Sequence, residues 1–287
     1  MSAPRQIADP AEMQREALAL RAQGKRIAFV PTMGYLHEGH AALLRDARTR
    51  GDVLVLSIFV NPTQFGPNED FDRYPRDVPR DLAIATNEKT DLVFLPTKES
   101  MYPPGSSTFV EVTGVAEPLE GEKRPGHFRG VATVVAKLFG IVQPHVAVFG
   151  QKDWQQLAVL RRMTKDLNLA VEIVGHPIVR EPDGLALSSR NVYLSPAERT
   201  RALALSRSLA EIDEAWRGGE RDPQALEAIG RRVIRHEPDA AVPVSIDYVA
   251  VADPDSMRPA QRGASRMLVA LAVRVGKTRL IDNRLLQ

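Results

Sequence analysis

The chain of 287 residues contains no cysteine, which excludes disulfides, a thiolate nucleophile and zinc sites with sulfur ligands. It lacks an excess of either charge as well. Its 38 basic and 36 acidic residues give a formal charge of +2, too even for the basic footprint of a dedicated nucleic-acid binder. Lysine is scarce, eight residues against thirty arginines, a skew that fits compositional bias better than function. No apolar stretch approaches membrane-spanning length and the first residues carry no apolar h-region, so the expectation is a cytoplasmic protein with no membrane partner. Internal repeats and low-complexity segments are also missing. What is present is 44% hydrophobic content, enough to bury a large core, and a length that suits two unequal domains.

Asp9-Pro10-Ala11-Glu12 reads as a helix start, with Asp9 as N-cap, Pro10 at the first helical position and Glu12 placed to close a capping box; Gly24 reads as its end. Apolar runs recur at 27–30, 53–60, 92–95, 146–149 and 171–174, with helix-like stretches at 40–49, 78–87, 130–141 and 154–167 between them. Short apolar runs suit strands buried on both faces, and their alternation with helices predicts a parallel α/β sheet with right-handed crossovers. After about residue 182 the character changes. A capping box at Ser195-Pro196-Ala197-Glu198 opens a long helix ending near Gly218-Gly219. A helix at 223–236 and strands at 244–251 and 267–275 complete a small α+β unit. The expected domains are 1–182 and 183–287.

The segment Pro31-Thr32-Met33-Gly34-Tyr35-Leu36-His37-Glu38-Gly39-His40 follows directly on the apolar run 27–30. It lies where an open α/β sheet binds its ligand, at the end of a strand. Gly34 and Gly39 have no Cβ, so the backbone can approach phosphate closely. His37 and His40, three apart, sit by a helix N-terminus whose free N–H groups favour anions; local capping or packing by each histidine is the alternative reading. The loop Phe59-Val60-Asn61-Pro62-Thr63-Gln64-Phe65-Gly66-Pro67-Asn68 is rich in amides, and the Gln64 fork could meet a ligand bearing hydroxyl and carboxylate. A surface turn is the alternative reading. Lys123-Arg124-Pro125-Gly126-His127-Phe128-Arg129-Gly130 reads either as an anion-binding edge or as a solvated basic turn. Val148-Phe149-Gly150-Gln151-Lys152-Asp153 repeats the pattern of strand, glycine and helix start, with Gln156 one turn on. Lys152 supplies a point charge, and Asp153 caps the helix or faces a ribose or metal. Leu187-Ser188-Ser189-Arg190-Asn191, in the expected hinge, offers hydroxyls and a guanidinium that could clamp polyphosphate.

Taken together, PTMGYLHEGH, FVNPTQFG, RPGHFRGV, GQKDWQQL and LSSRN, in that order, resemble the pantothenate synthetase (pantoate beta-alanine ligase) family, nucleotidyltransferases that share the HIGH signature with class I aminoacyl-tRNA synthetases. The resemblance spans most of the chain. It implies a Rossmann-like nucleotide- and pantoate-binding domain (1–182), a smaller C-terminal α+β lid (183–287) and a homodimer. Position by position, it implies ATP binding by Met33, Gly34, Tyr35, Leu36, His37, Glu38, Gly39, His40, Gly150, Gln151, Lys152, Asp153, Val179, Leu187, Ser188, Ser189 and Arg190. His40, His37, Lys152 and Arg190 would be catalytic. Substrate binding would fall to Gln64, Gln156, Pro31, Thr32, Met33, Asn61, Arg124 and His127. Gln151 stands where the family commonly has Glu. Asp81, preceded by Arg80, is the one metal candidate where some members carry two acidic residues. Magnesium would then be held mainly by the ATP phosphates.

The implied reaction is condensation of pantoate with beta-alanine to pantothenate through a pantoyl adenylate, with release of pyrophosphate and AMP. Catalysis by positioning and charge stabilisation needs no covalent enzyme intermediate. A nucleotidylyltransferase that keeps AMP in its product is the rival enzyme, and a catalytically silent nucleotide-binding module the rival from another class. A reduced aminoacyl-tRNA synthetase-like protein lacks the spare length and basic excess for tRNA.

Overall fold

The computed structural model describes residues 3–67, 69–236 and 242–287. In chain order the elements are β1 (Arg5–Ile7), α1 (Pro10–Ala22), β2 (Ile27–Thr32), α2 (Glu38–Arg48), β3 (Val53–Ile58), α3 (Val78–Asn87), β4 (Leu92–Phe94) and α4 (Lys98–Met101). They continue with α5 (Glu120–Lys123), α6 (His127–Val142), β5 (Val146–Gly150), α7 (Trp154–Asp166), β6 (Glu172–His176), α8 (Pro196–Arg217), α9 (Pro223–His236), β7 (Val244–Ala252), β8 (Met267–Val275) and β9 (Thr278–Leu286). Short 3-10 turns occupy Pro62–Gln64, Gln151–Asp153 and Ser189–Tyr193.

Contacts divide the chain into two units. The first comprises Met1–Thr113, Arg124–Gln151 and Val159–Pro177; the second comprises Gly114–Lys123, Lys152–Ala158 and Ile178–Gln287. The second unit's long stretch thus begins at Ile178, ahead of the division read at 182/183.

In the first unit six parallel strands run in the order β1-β4-β3-β2-β5-β6. The chain winds outward from β2 to one side and then returns to start β5 on the other, so β2 and β5 flank the point where strand order reverses. Ile27 to Val30 of β2 are buried on both faces of the sheet, in keeping with their continuously apolar sequence. Ala28 and Val30 pack with Leu43, Leu44 and Ala47 of α2, while α1 and α6 also touch the strand. Asp9 caps α1 by accepting from Glu12 N at 2.7 Å. Glu12 does not close the expected capping box: its carboxylate pairs with Arg5 instead, at 3.0 Å. The three-residue β1 was not anticipated.

The second unit carries an antiparallel sheet, β7-β8-β9, with α8 and α9 packed on it. Its core joins Leu205, Leu209, Ile212 and Trp216 of α8 to Val269, Leu271 and Val273 of β8. Ser195 and Glu198 form the expected capping box at the start of α8. The third strand, β9, was not foreseen.

Candidate active site

The turn leaving β2 is closed by hydrogen bonds to itself and to α3. Thr32 Oγ1 donates to the Ser57 carbonyl of β3 at 2.8 Å and accepts from Gly34 N at 3.2 Å. Gly34 (φ 81°) and Tyr35 (φ 50°) both adopt left-handed backbone. Two consecutive residues of this kind aim the next amides to one side, forming an anion-binding concavity. A carboxylate of the protein fills it: Asp81 Oδ2 accepts from Tyr35 N at 2.9 Å and Oδ1 from Leu36 N at 2.6 Å. A Cβ on Gly34 would lie 2.9 Å from Asp81 Oδ2 and 2.8 Å from Ile58 Cγ2. The missing side chain at Gly34 makes room for Asp81, which occupies these two amides.

The histidines close the rest of the turn. His37, the N-cap of α2, accepts from Gly39 N through Nδ1 at 3.1 Å, and His40 Nδ1 accepts from His37 N at 3.2 Å. The rings stand 4.1 Å apart between centroids. An Nδ1 that accepts carries no hydrogen, so the proton of each neutral ring sits on Nε2. The turn therefore presents imidazole N–H donors at the reversal point of the sheet, a position suited to meeting anionic oxygens. Pro31 and Met33 flank this arrangement, and Met33 Sδ accepts from Gln64 Nε2 at 3.2 Å.

Gln64 is set by a second network in the same unit. Asn61 is 1% exposed. Its amide nitrogen donates to Gln64 Oε1 and to the Gly130 carbonyl at 3.1 and 3.2 Å, and its oxygen accepts from Tyr102 OH and Thr63 Oγ1 at 2.9 and 3.0 Å. With its amide nitrogen and oxygen so engaged, Asn61 orients Gln64. A Cβ on Gly130 would overlap the Thr63 carbonyl and approach Gln64 Cα to 2.7 Å, so glycine there lets α6 press against the amide loop. His127 Nδ1 meets the Gln64 carbonyl at 2.8 Å and its Nε2 meets Arg124 Nη1 at 3.0 Å. Guanidinium only donates and a carbonyl only accepts, so His127 is the neutral Nδ1–H tautomer. Asn68, the last residue of the amide loop, lies outside the described residues.

Gly150 ends β5, paired with His176 of β6, and Gln151 Nε2 donates to the Gly175 carbonyl at 3.1 Å. Gln151 thus ties two strand ends together.

The other expected residues belong to the second unit. The Lys152 carbonyl accepts from Asn283 Nδ2 at 2.7 Å, and its ammonium makes no ion pair among the described residues. Asp153 is exposed and Gln156 is half-buried on α7. Gln155 is 5% exposed, accepts from Glu120 N at 3.0 Å and donates to the Val115 and Pro118 carbonyls, so alternate faces of this turn anchor and display. The Val179 carbonyl accepts from Leu187 N at 3.0 Å. Ser188 caps the 3-10 turn Ser189–Tyr193 by accepting from Arg190 N at 3.2 Å.

The Pantoate-beta-alanine ligase family profile matches residues 5–285. The pantothenate synthetase of Trichlorobacter lovleyi is 57% identical over 280 residues, 98% of each chain. A crystal structure of pantothenate synthetase from Thermus thermophilus superposes with a TM-score of 0.90 at 47% identity, covering 98% of both chains. The chain belongs to the pantoate-beta-alanine ligase family. Another crystal structure, the Francisella tularensis pantoate-beta-alanine ligase complexed with beta-gamma ATP and beta-alanine, gives a TM-score of 0.77 at 33% identity, covering 99% and 98% of the two chains.

In this member of the pantoate-beta-alanine ligase family Asp81 does not suit a magnesium ion. It is 1% exposed and both carboxylate oxygens already accept backbone hydrogen bonds. Among the described residues no group of three or more His, Asp or Glu could hold a metal. Burial raises the Asp81 carboxyl above the usual range against the two amides that lower it. Glu69 went unnoticed in the sequence: it grips Arg124 through two contacts of 2.7 Å. Burial pushes its carboxyl up, but the Arg124 hydrogen bonds and charge hold it below the usual range. Tyr102, raised by burial, was missed for the same reason as Glu69. Their partners are distant in sequence and leave no local pattern.

Proposed function

We propose that this enzyme condenses pantoate with beta-alanine to pantothenate through a pantoyl adenylate. A pantoate carboxylate oxygen attacks the α-phosphorus of ATP, the bond to the bridging oxygen breaks, and pyrophosphate leaves. The neutral beta-alanine amine then attacks the acyl carbon, AMP leaves with the electron pair of the broken C–O bond, and the nitrogen gives up one proton to solvent and keeps the other as the amide N–H. The observation that carries this reading is the family match across residues 5–285, which spans both units.

In the first unit, His37 and His40 would donate through Nε2 to phosphate oxygens as charge grows on them. Gln64 would hold pantoate, and Arg124 and His127 would serve the carboxylate-bearing substrates. In the second, Lys152, Ser188, Ser189 and Arg190 are assigned to the triphosphate, Gln156 to pantoate and the Val179 backbone to adenine. Residues 1–182 would form the nucleotide- and pantoate-binding domain and 183–287 the lid. Magnesium would travel with the ATP phosphates, and no protein carboxylate is assigned to it. A homodimer in the cytoplasm completes the reading.

The deciding experiment is ATP–pyrophosphate exchange over a panel of small hydroxy acids, followed by AMP release with a panel of amines. Exchange that depends on pantoate and AMP release that depends on beta-alanine are expected. A product that retains AMP would replace this reading with nucleotidyl transfer.

A further inference from the structure

We infer that Asp81 is a positioning residue that holds the histidine turn in its working shape by accepting from the Tyr35 and Leu36 amides. The turn needs such a clamp. Tyr35 at φ 50° occupies a left-handed region that is strained for a non-glycine residue, and its neighbour Gly34 lies at φ 81°. That backbone leaves two amides pointing the same way, and nothing within the turn accepts from them. Asp81, 45 and 46 residues away in sequence from the two amides it meets, supplies both acceptors from one rigid carboxylate. A second contact from the same end of α3 reinforces it: the Arg80 guanidinium lies 5.0 Å from the centre of the Tyr35 ring.

The consequence reaches the chemistry through the chain. Leu36 is fully buried and leads directly into His37, whose main-chain N–H is the group that orients His40. Fixing the Tyr35 and Leu36 amides therefore fixes the start of α2 and the direction of both imidazoles. It also keeps these two amides away from ligand phosphate, leaving the rings as the turn's donors. A carboxylate buried beside a triphosphate site would repel the ligand if its charge were uncompensated, and the two amides provide that compensation. This inference rests on the ligase reading only for its kinetic part.

The test is Asp81→Asn, which preserves shape but turns one acceptor into a donor facing an amide. In the ligand-free wild-type protein the Tyr35 and Leu36 amides should exchange slowly with deuterium. In Asp81→Asn the same two amides should exchange about tenfold to a hundredfold faster, the range for losing a hydrogen bond to a charged group, while amides of Val53–Ile58 keep their rates. The kcat of pantoate-dependent ATP–pyrophosphate exchange should fall about tenfold or more, with the pantoate KM and the half-activating magnesium concentration within about threefold of wild type. Unchanged exchange at Tyr35 and Leu36 together with a raised magnesium requirement would make Asp81 a metal ligand and overturn the inference. Faster exchange with unchanged kcat would overturn it too. Should the variant not fold, the wild-type measurement decides alone: slow exchange at both amides supports the clamp and rapid exchange at both refutes it. Absence of pantoate-dependent activity in the wild type would sink the ligase reading and leave the amide result standing.

Discussion

The turn at 31–40 and the segment at 187–193 are both assigned to the nucleotide, yet they are held by opposite physical means. The turn is fixed by a carboxylate 1% exposed and by mutual capping of its histidines. The segment hangs on a solvated network: Asn191 donates to Glu181 at 2.9 Å, and Arg199 pairs with Glu181 and Asp183 at 2.8 and 2.6 Å, with side chains about a quarter to a third exposed. Val192 and Tyr193 within it are 59% and 42% exposed. Burial makes the turn's geometry permanent at a desolvation cost, whereas exposed ion pairs are weak, screened and easily rearranged. The proposed lid role of 187–193 therefore predicts a response to ligand there that the turn at 31–40 does not share.

Removing groups assigned to the phosphates tests the comparison most severely. His40→Ala and Lys152→Ala should each cut pantoate-dependent ATP–pyrophosphate exchange about a hundredfold or more, the range seen when one preorganised stabiliser is lost. Near-normal exchange in either variant would strip that residue of its role. Next in size is Gly130→Ala, whose added methyl must displace Thr63 and Gln64. A rise of about tenfold in the pantoate KM is expected, with a stability loss of about 1–3 kcal/mol by thermal melting. Wild-type values of both would mean that Gln64 is not held by this packing.

The two regions should also separate in dynamics. Saturating ATP and pantoate should slow amide exchange at 187–191 several-fold and leave Tyr35 and Leu36, already protected, almost unchanged. A uniform response would erase the distinction. The smallest effect is expected from Glu181→Gln, about 0.2–1 kcal/mol at neutral pH and less in high salt. Glu181 is held below the usual carboxylate range by Arg199, and Asp183 is held low too, its backbone and Arg199 hydrogen bonds outweighing burial. Their stabilisation is present above the unfolded carboxylate value near 4 and is lost as pH falls through their lower folded values. The raised Asp81 carboxyl runs the other way, its contribution being lost as pH rises through its folded value. The melting-temperature gap between wild type and Glu181→Gln should therefore shrink as the solution is acidified from pH 7 towards pH 3, and a constant gap would exclude the ion pairs as its source.

The sheet was legible because buried parallel strands must be apolar throughout: 27–30 and 146–149 announced β2 and β5 without further help. Val78–Asn87 was legible to the residue, and Pro223–His236 was legible with an approximate end. β9 was not, because its buried positions include the polar residues Asp282 and Asn283, only 3% and 6% exposed. Asp282 answers Arg180 at 2.7 Å, 102 residues away in sequence. The histidine spacing was visible in the site, as was the amide loop. The clamp by Asp81, the grip of Glu69 on Arg124 and the inward commitment of Asn61 were invisible, since each depends on a tertiary partner that the local pattern does not name.

The mutual capping of His37 and His40 constrains how such a turn can change over generations. Each ring's Nδ1 serves a main-chain amide between Pro31 and His40, so exchanging either histidine leaves one of those amides without its acceptor. One inserted residue between them would undo both caps at once. Point substitution removes one acceptor at a time, whereas a change in spacing disturbs the pair.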